Sequence, residues 1–362
     1  MREPKPITIA QLLGAASKPS ELSEIIDVRS PAEFTEDHIA GAINMPVLSD
    51  DERILIGTLY NEVGAYEAKV KGAALVARNI AHHLETSLAH KTKDFRPLIY
   101  CWRGGNRSGA MATVLARIGW RTHLLEGGYR EYRRALLGEL QTLPTLFQYR
   151  VIAGPTGSGK SQILQALQSL GEQVLDLEDL ARHKGSVLGN LPHEAQPSQK
   201  YFDTLLFEKL RSFDANRIIF IESESKKVGA VQVPEALIKA MRSSSCICIQ
   251  ASMETRIALL LAEYEHFTLD QAHLFKQLDC LTALHGVHTI DQWKALANEK
   301  RWPEFVQATL AEHYDPAYFK SMKRNFVKLK DAVLVTLSQS SRDAVIVVAK
   351  DIKAHTEKEM LL

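Results

Sequence analysis

Hydrophobic residues along the first 250 positions fall into short continuous runs, each bounded by turn residues or charges. Six of them read as strands: "EIIDV" (24–28), "PLIYC" (97–101), "THLLE" (122–126), "YRVIAG" (149–154), "RIIFIES" (217–223) and "CICIQ" (246–250). Between them, "SGAMATVLARIGW" (108–120) and "SQILQALQSL" (161–170) carry apolar residues at helical spacing. Buried runs alternating with amphipathic helices predict parallel sheets wrapped by helices, an α/β fold. From about 254 onward the pattern turns mostly helical, with "METRIALLLAEYEHF" (253–267) the clearest amphipathic segment. The stretch "GELQTLPTLFQ" (138–148) has a Gly, a Pro and no strong period. It divides the chain into a first domain at 1–138, a linker at 139–146 and a second domain at 147–362.

Composition sets the scale. The chain has 362 residues, 45% hydrophobic and 24% charged, enough for two cores. A net charge of +1 gives no overall attraction to a polyanion, so a nucleic-acid partner needs local basic patches. Four cysteines without a C-x-x-C pair, and a start, "MREPKPITIAQLL", without a signal-peptide core, predict a reduced, cytoplasmic protein. No apolar run approaches the roughly 18 residues of a membrane span, so no membrane partner is expected.

Two loops carry candidate chemistry. In "YCWRGGNRSG" (100–109), Cys101 ends a strand and a helix follows, so the intervening residues form a tight turn whose amides curl around the sulfur. Gly104 and Gly105 permit that curl, while Arg103, Arg107 and the helix N-terminus supply positive potential that favours thiolate. In "GPTGSGKS" (154–161), a glycine-rich loop between strand and helix matches G-x-x-x-x-G-K-[ST]. Gly154, Thr156, Gly157, Ser158 and Gly159 build a nest for a di- or triphosphate, Lys160 neutralises phosphate charge, and the Ser161 hydroxyl is placed to ligate Mg²⁺. Glu222 and Glu224 in "IIFIESES" stand where a metal ligand or its second shell would stand.

The residues "DVRSPAEF" (27–34), "HIAGAINMP" (38–46), the Cys101 loop and "LEGGY" (125–129) resemble a rhodanese domain over about residues 5 to 137. One departure matters: small rhodaneses place the loop arginine five positions after the cysteine, whereas Cys101 and Arg107 are six apart. That C-x5-R spacing is also found in cysteine phosphatases of the cell-division-cycle type, and an enlarged cradle suits a tetrahedral oxyanion such as phosphate or selenophosphate. Adding "SDDER" (49–53), "DLEDLARHKGSVLG" (176–189), "IESESKKVG" (221–229) and "HYDPAYF" (313–319), the chain resembles the tRNA 2-selenouridine synthase family from about residue 20 to 330. The resemblance implies a rhodanese-like domain joined to a P-loop domain with a largely helical C-terminal part. It also implies a cytoplasmic transferase acting on the anticodon region of tRNA, where wobble 2-thiouridine becomes 2-selenouridine through an S-geranyl intermediate. Geranyl diphosphate and selenophosphate are then co-substrates, with Mg²⁺ as an aid and no tightly bound cofactor; an enzyme that supplies selenophosphate is an implied partner.

Basic surface for tRNA is sought in "ARIGWRTHLLEGGYREYRRA" (116–135), which holds five arginines, among them Arg130 and Arg133. It is sought also in "YFKSMKRNFVKLK" (318–330), which includes Lys323 and Arg324 among interleaved aromatics, and in Arg182, His183 and Lys184. Solvated helix faces with core aromatics would give the same patterns. Two alternatives stay open: a cysteine phosphatase, weakened by Tyr100 where such enzymes usually have His, or a P-loop kinase carrying a non-catalytic rhodanese module. Cys246 and Cys248, two apart on one strand face, read as core residues, and the pairs at 82/83 and 285/288 are assigned no chemistry.

Overall fold

The computed structural model describes residues 2–14, 22–186, 188–190, 194–263 and 271–360. The chain forms two compact units, Met1–Glu139 with Ser198–Glu208, and Leu140–Pro197 with Lys209–Leu362. The sequence reading placed 198–208 wholly in the second domain. Phe202, Leu206 and Phe207 of that stretch are fully buried, and Thr204 Oγ1 donates to Asp37 Oδ1 at 2.8 Å within the first unit. The stretch expected as a linker is packed as part of the second unit: Leu143–Leu146 is a 3-10 turn, Leu140 and Pro144 are buried, and the Tyr149 hydroxyl donates to the Pro144 carbonyl at 2.9 Å.

The first unit is built on a five-stranded sheet of β1 (Lys5–Ile7), β2 (Glu24–Asp27), β3 (Ala42–Asn44), β4 (Pro97–Tyr100) and β5 (His123–Leu125). Its order is β1-β5-β4-β2-β3, and every pairing is parallel. β4 lies at the centre with all four residues buried, which is why it reads as an unbroken apolar run. The helix that follows, Asn106–Ile118, buries Ser108, Met111, Ala112, Leu115 and Ala116 on a single stripe. Gly119 ends it in the left-handed conformation at φ 116°.

The second unit has another five-stranded parallel sheet. Its strands are β6 (Tyr149–Ala153), β7 (Gln173–Leu175), β8 (Ile219–Glu222), β11 (Ser245–Ala251) and β12 (Val333–Leu337), in the order β12-β11-β6-β8-β7. A small antiparallel hairpin, β9 (Lys227–Val228) with β10 (Val231–Gln232), stands apart from it. β12 interrupts the C-terminal stretch read as mostly helical: its side chains alternate in burial, as on an edge strand. The helix Met253–Glu263 matches the start of the predicted amphipathic segment, and residues 264–267 of that segment lie outside the described residues. Beyond it, Leu274, Leu278, Leu281, Ile290, Trp293, Ala297 and Phe305 form a separate helical core. Among the described residues, no helix is long and apolar enough to cross a membrane. Cys101 and the glycine-rich loop each follow the carboxyl end of a central parallel strand, the position at which α/β sheets place ligands.

Candidate functional sites

Cys101 is 4% exposed, and the Ser108 hydroxyl donates to its sulfur at 3.1 Å. Burial alone would push the thiol pKa up. The Ser108 hydroxyl, the backbone amides of Ser108 and Arg103 and the charge of Arg107 outweigh burial and hold it below the usual thiol value. Arg103 therefore acts through its amide, its side chain being exposed. The helix starts at Asn106, two residues earlier than predicted, which puts Arg107 and Ser108 in its first turn. Ser108→Ala should consequently shift the pH profile of Cys101 alkylation by iodoacetamide to higher pH. An unchanged profile would show that the hydroxyl does not stabilise the thiolate.

The curl of this loop uses Gly104 in the left-handed region at φ 67°, while Gly105 has φ −102° and ψ −138°. The second left-handed position that matters is Gly128 of "LEGGY", at φ 59°. A Cβ there would strike the Cys101 carbonyl and the Gly104 amide, because the Tyr129 and Arg130 amides hydrogen-bond the Cys101 and Trp102 carbonyls at 2.8 and 2.9 Å. Gly128→Ala should cost more than about 2 kcal/mol through strain and steric overlap. Thermal unfolding would read that loss, and a parent-like melting temperature with normal Cys101 reactivity would count against this packing.

The "DVRSPAEF" motif supplies scaffolding. Fully buried Arg29 makes a bidentate pair with Asp27, Nε to Oδ1 and Nη2 to Oδ2, lies 3.9 Å from the centre of the Tyr129 ring and donates to the Asp37 carbonyl at 2.6 Å. Tyr129 in turn donates to Asp37 Oδ2 at 2.5 Å. Arg133, a candidate for tRNA, pairs instead with Asp203 and approaches Asp37, while Arg130 is exposed.

In the second unit, Gly159 takes φ 83° with Leu337 pressed against the place of a Cβ, and Lys160 opens the helix Lys160–Ser169. Thr156, Gly157, Lys160 and Ser161 line a cavity of about 330 Å³. Lys160 Nζ lies 3.3 Å from Glu222. Burial opposes its charge, yet Glu222, with help from Tyr318, Glu178 and Glu224, raises its pKa. The Ser161 hydroxyl reaches Glu178 at 3.4 Å and Glu222 at 3.5 Å. Oxygens of Glu178, Glu222 and Glu224 lie within 4.8 Å of one another, a hard-oxygen set that can hold a divalent cation. Burial first, then mutual repulsion, raises Glu178, and Glu224 is pushed up to about 7 by burial and the charge of Glu222.

Four residues here escaped the sequence reading. Glu178, in the quoted "DLEDLARHKGSVLG", joins the two expected carboxylates. Arg256 donates from Nε to the Thr156 carbonyl at 2.9 Å and forks onto Asp315 at 2.9 and 2.6 Å. The Tyr318 hydroxyl accepts the Gly154 amide at 2.7 Å. Thus "HYDPAYF" braces the glycine-rich loop from outside. Its local signal was visible, but its partner was not.

His183 is buried and accepts the Gly185 amide at Nδ1; Lys184 pairs with Glu263 at 2.7 Å and lines the same cavity. Arg182 is exposed and left-handed at φ 49°. Lys323 and Arg324 are exposed on the helix Asp315–Asn325, next to Phe319, which is 60% exposed. Phe326 belongs to the interior. His285, assigned no chemistry, hydrogen-bonds His313 at 2.9 Å.

Two family models match the chain: "tRNA 2-selenouridine synthase AAA domain" over residues 147–288 and "Rhodanese-like domain" over residues 8–135. The tRNA 2-selenouridine synthase of Nitrosomonas europaea is 34% identical over 244 residues, 66% of this chain and 63% of that protein. Its counterpart in Shewanella loihica is 34% identical over 245 residues, 67% of this chain and 64% of that one. The match thus spans slightly under two thirds of these two relatives. With the tRNA 2-selenouridine synthase of Hydrogenovibrio crunogenus, identity is 30% over 352 residues, 88% of this chain and 95% of the relative.

Proposed function

The chain belongs to the tRNA 2-selenouridine synthase family, and on that premise we propose that it exchanges sulfur for selenium at a wobble 2-thiouridine of tRNA in two steps. In the first, the thione sulfur attacks the terminal carbon of geranyl diphosphate. A C–S bond forms, the C–O bond breaks and diphosphate leaves with the electron pair, while the base loses its N3 proton. In the second, the selenium of selenophosphate attacks C2, the C2–S bond breaks and geranyl thiolate leaves and takes a proton; water then cleaves the Se–P bond, releasing phosphate and leaving selenium on C2. Alkylation makes the second step feasible, since a thiolate leaves where a thione cannot.

The observation that carries this reading is the mixed lining of the cavity at the glycine-rich loop. Lys160 and Ser161 line it as polar groups for a diphosphate, and Leu260, Ala317, Met322 and Phe326 line the same cavity, apolar surface suited to a hydrocarbon chain. Lys160 and the amides stabilise charge as it builds on the departing diphosphate, which needs no nucleotide hydrolysis. A divalent cation held by Ser161 with Glu178, Glu222 and Glu224 would add charge to that stabilisation. Cys101 serves the selenium step as the thiolate beside which the donor is held, with Arg107 facing the oxyanion. Phe319, Lys323 and Arg324 offer an aromatic face and two cations to an unpaired RNA segment.

The test is nucleoside mass spectrometry of thiolated tRNA incubated with the protein and geranyl diphosphate alone. S-geranyl-2-thiouridine is the expected product. Its absence, together with transfer of labelled phosphate from ATP to tRNA, would favour a kinase instead.

A further inference from the structure

Arg107, the side chain facing an oxyanion in the reading above, already holds an anion. Its Nη1 donates to Glu33 Oε2 at 2.7 Å and its Nη2 to Glu33 Oε1 at 3.3 Å, so one carboxylate occupies both arms of the guanidinium. The same carboxylate meets Arg53 Nε at 3.1 Å. Arg107 and Glu33 are largely buried, whereas Arg53 is 52% exposed on the helix Asp50–Glu62. Burial by itself would raise the Glu33 pKa; Arg107 first, then Arg53, hold it below the usual carboxylate value. Glu33 is therefore an anion shared between a cation of the Cys101 loop and one outside it.

We propose that Glu33 is an intramolecular competitor for the anion seat beside Cys101, and that Arg53 is the residue that retains it when an oxyanion takes Arg107. The inference rests on the Cys101 loop being an oxyanion cradle. An entering anion exchanges one bidentate, charge-assisted pair for another, and Glu33 keeps a cationic partner throughout. No buried charge is left unpaired during the exchange, which is the costly alternative. The competitor also sets selectivity: a monoanion offers Arg107 no more charge than Glu33 does, whereas a dianionic phosphate-like group offers more. The site thereby discriminates for the charge class of phosphate and selenophosphate.

The experiment measures protection of Cys101 from iodoacetamide by inorganic phosphate at pH 8, with the Cys101 peptide resolved by mass spectrometry from those of the other three cysteines. Glu33→Gln removes the competing charge but keeps a carbonyl for the Ser30 amide, which Glu33 caps at 3.3 Å. Half-protection should then require about fivefold less phosphate, the order of a partly buried ion pair. Arg53→Ala should have the opposite effect, because Glu33 is left to Arg107 alone, and the double variant should behave as Glu33→Gln. Failure of phosphate to protect the wild-type thiol at all would overturn the oxyanion-cradle reading. Protection that Glu33→Gln leaves unchanged, or an Arg53→Ala effect of equal size in both backgrounds, would overturn the competitor.

Discussion

Lys160→Ala should abolish geranylation of thiolated tRNA while the protein still folds. The lysine is the cation that Glu222 faces at 3.3 Å and, in the proposed function, the side chain that neutralises a departing diphosphate. Removing one well-placed donor from developing charge typically lowers a rate by about a hundred- to a thousandfold, and here a full charge is lost with it. The loss falls on the transition state, where the leaving oxygens carry most charge, so the rate of transfer should fall more than donor binding weakens. Folding should survive because Gly159, Arg256 and Tyr318 also fix the loop, to which the ammonium adds one long contact, to the Pro155 carbonyl at 3.4 Å. The three carboxylates left behind can take up protons, Glu224 being already pushed up to about 7. A folded Lys160→Ala protein that geranylates at the parent rate would remove the diphosphate site from this loop.

Cys101→Ser separates the two steps. The hydroxyl matches the thiol in size and hydrogen bonding but stays protonated near neutral pH, so the stabilisation that Ser108, the loop amides and Arg107 direct at a thiolate has no anion to act on. Selenium incorporation should fall below detection. The glycine-rich loop is built from other residues, so S-geranyl-2-thiouridine should accumulate in reactions supplied with both donors. Nucleoside mass spectrometry reads both products in one sample. Normal 2-selenouridine from this variant would exclude the sulfur from the mechanism, and loss of the geranylated nucleoside as well would show that the sites are coupled.

What could be read from the sequence was chemistry written in consecutive residues. The Cys101 turn and "GPTGSGKS" state their own backbone demands, since each lies between a buried strand and an amphipathic helix and needs glycine where φ turns positive. Partners that approach through the fold were not legible. Glu33 meets Arg107 across 74 positions, and Tyr318 meets Gly154 across 164; neither spacing has a period to betray it. The close approach of Gly128 to the loop was hidden as well, because it comes from a different segment. The strands β1, β3 and β7 have three residues each and, unlike the equally short β5, stood out as no distinct apolar run, and β12 follows a long helical stretch that masked it. Arg133 shows the converse: within its arginine-rich stretch it reads as surface charge, but Asp203 from the stretch after residue 197 engages it.

In the proposed function, selenium enters only after the sulfur has been alkylated at the glycine-rich loop. The most direct test of this order is a time course of nucleoside mass spectrometry on thiolated tRNA with the wild-type protein and selenophosphate, with and without geranyl diphosphate. The account predicts that S-geranyl-2-thiouridine rises first and declines as 2-selenouridine appears, and that no 2-selenouridine forms when the geranyl donor is omitted. Formation of 2-selenouridine at the same rate without geranyl diphosphate would contradict it.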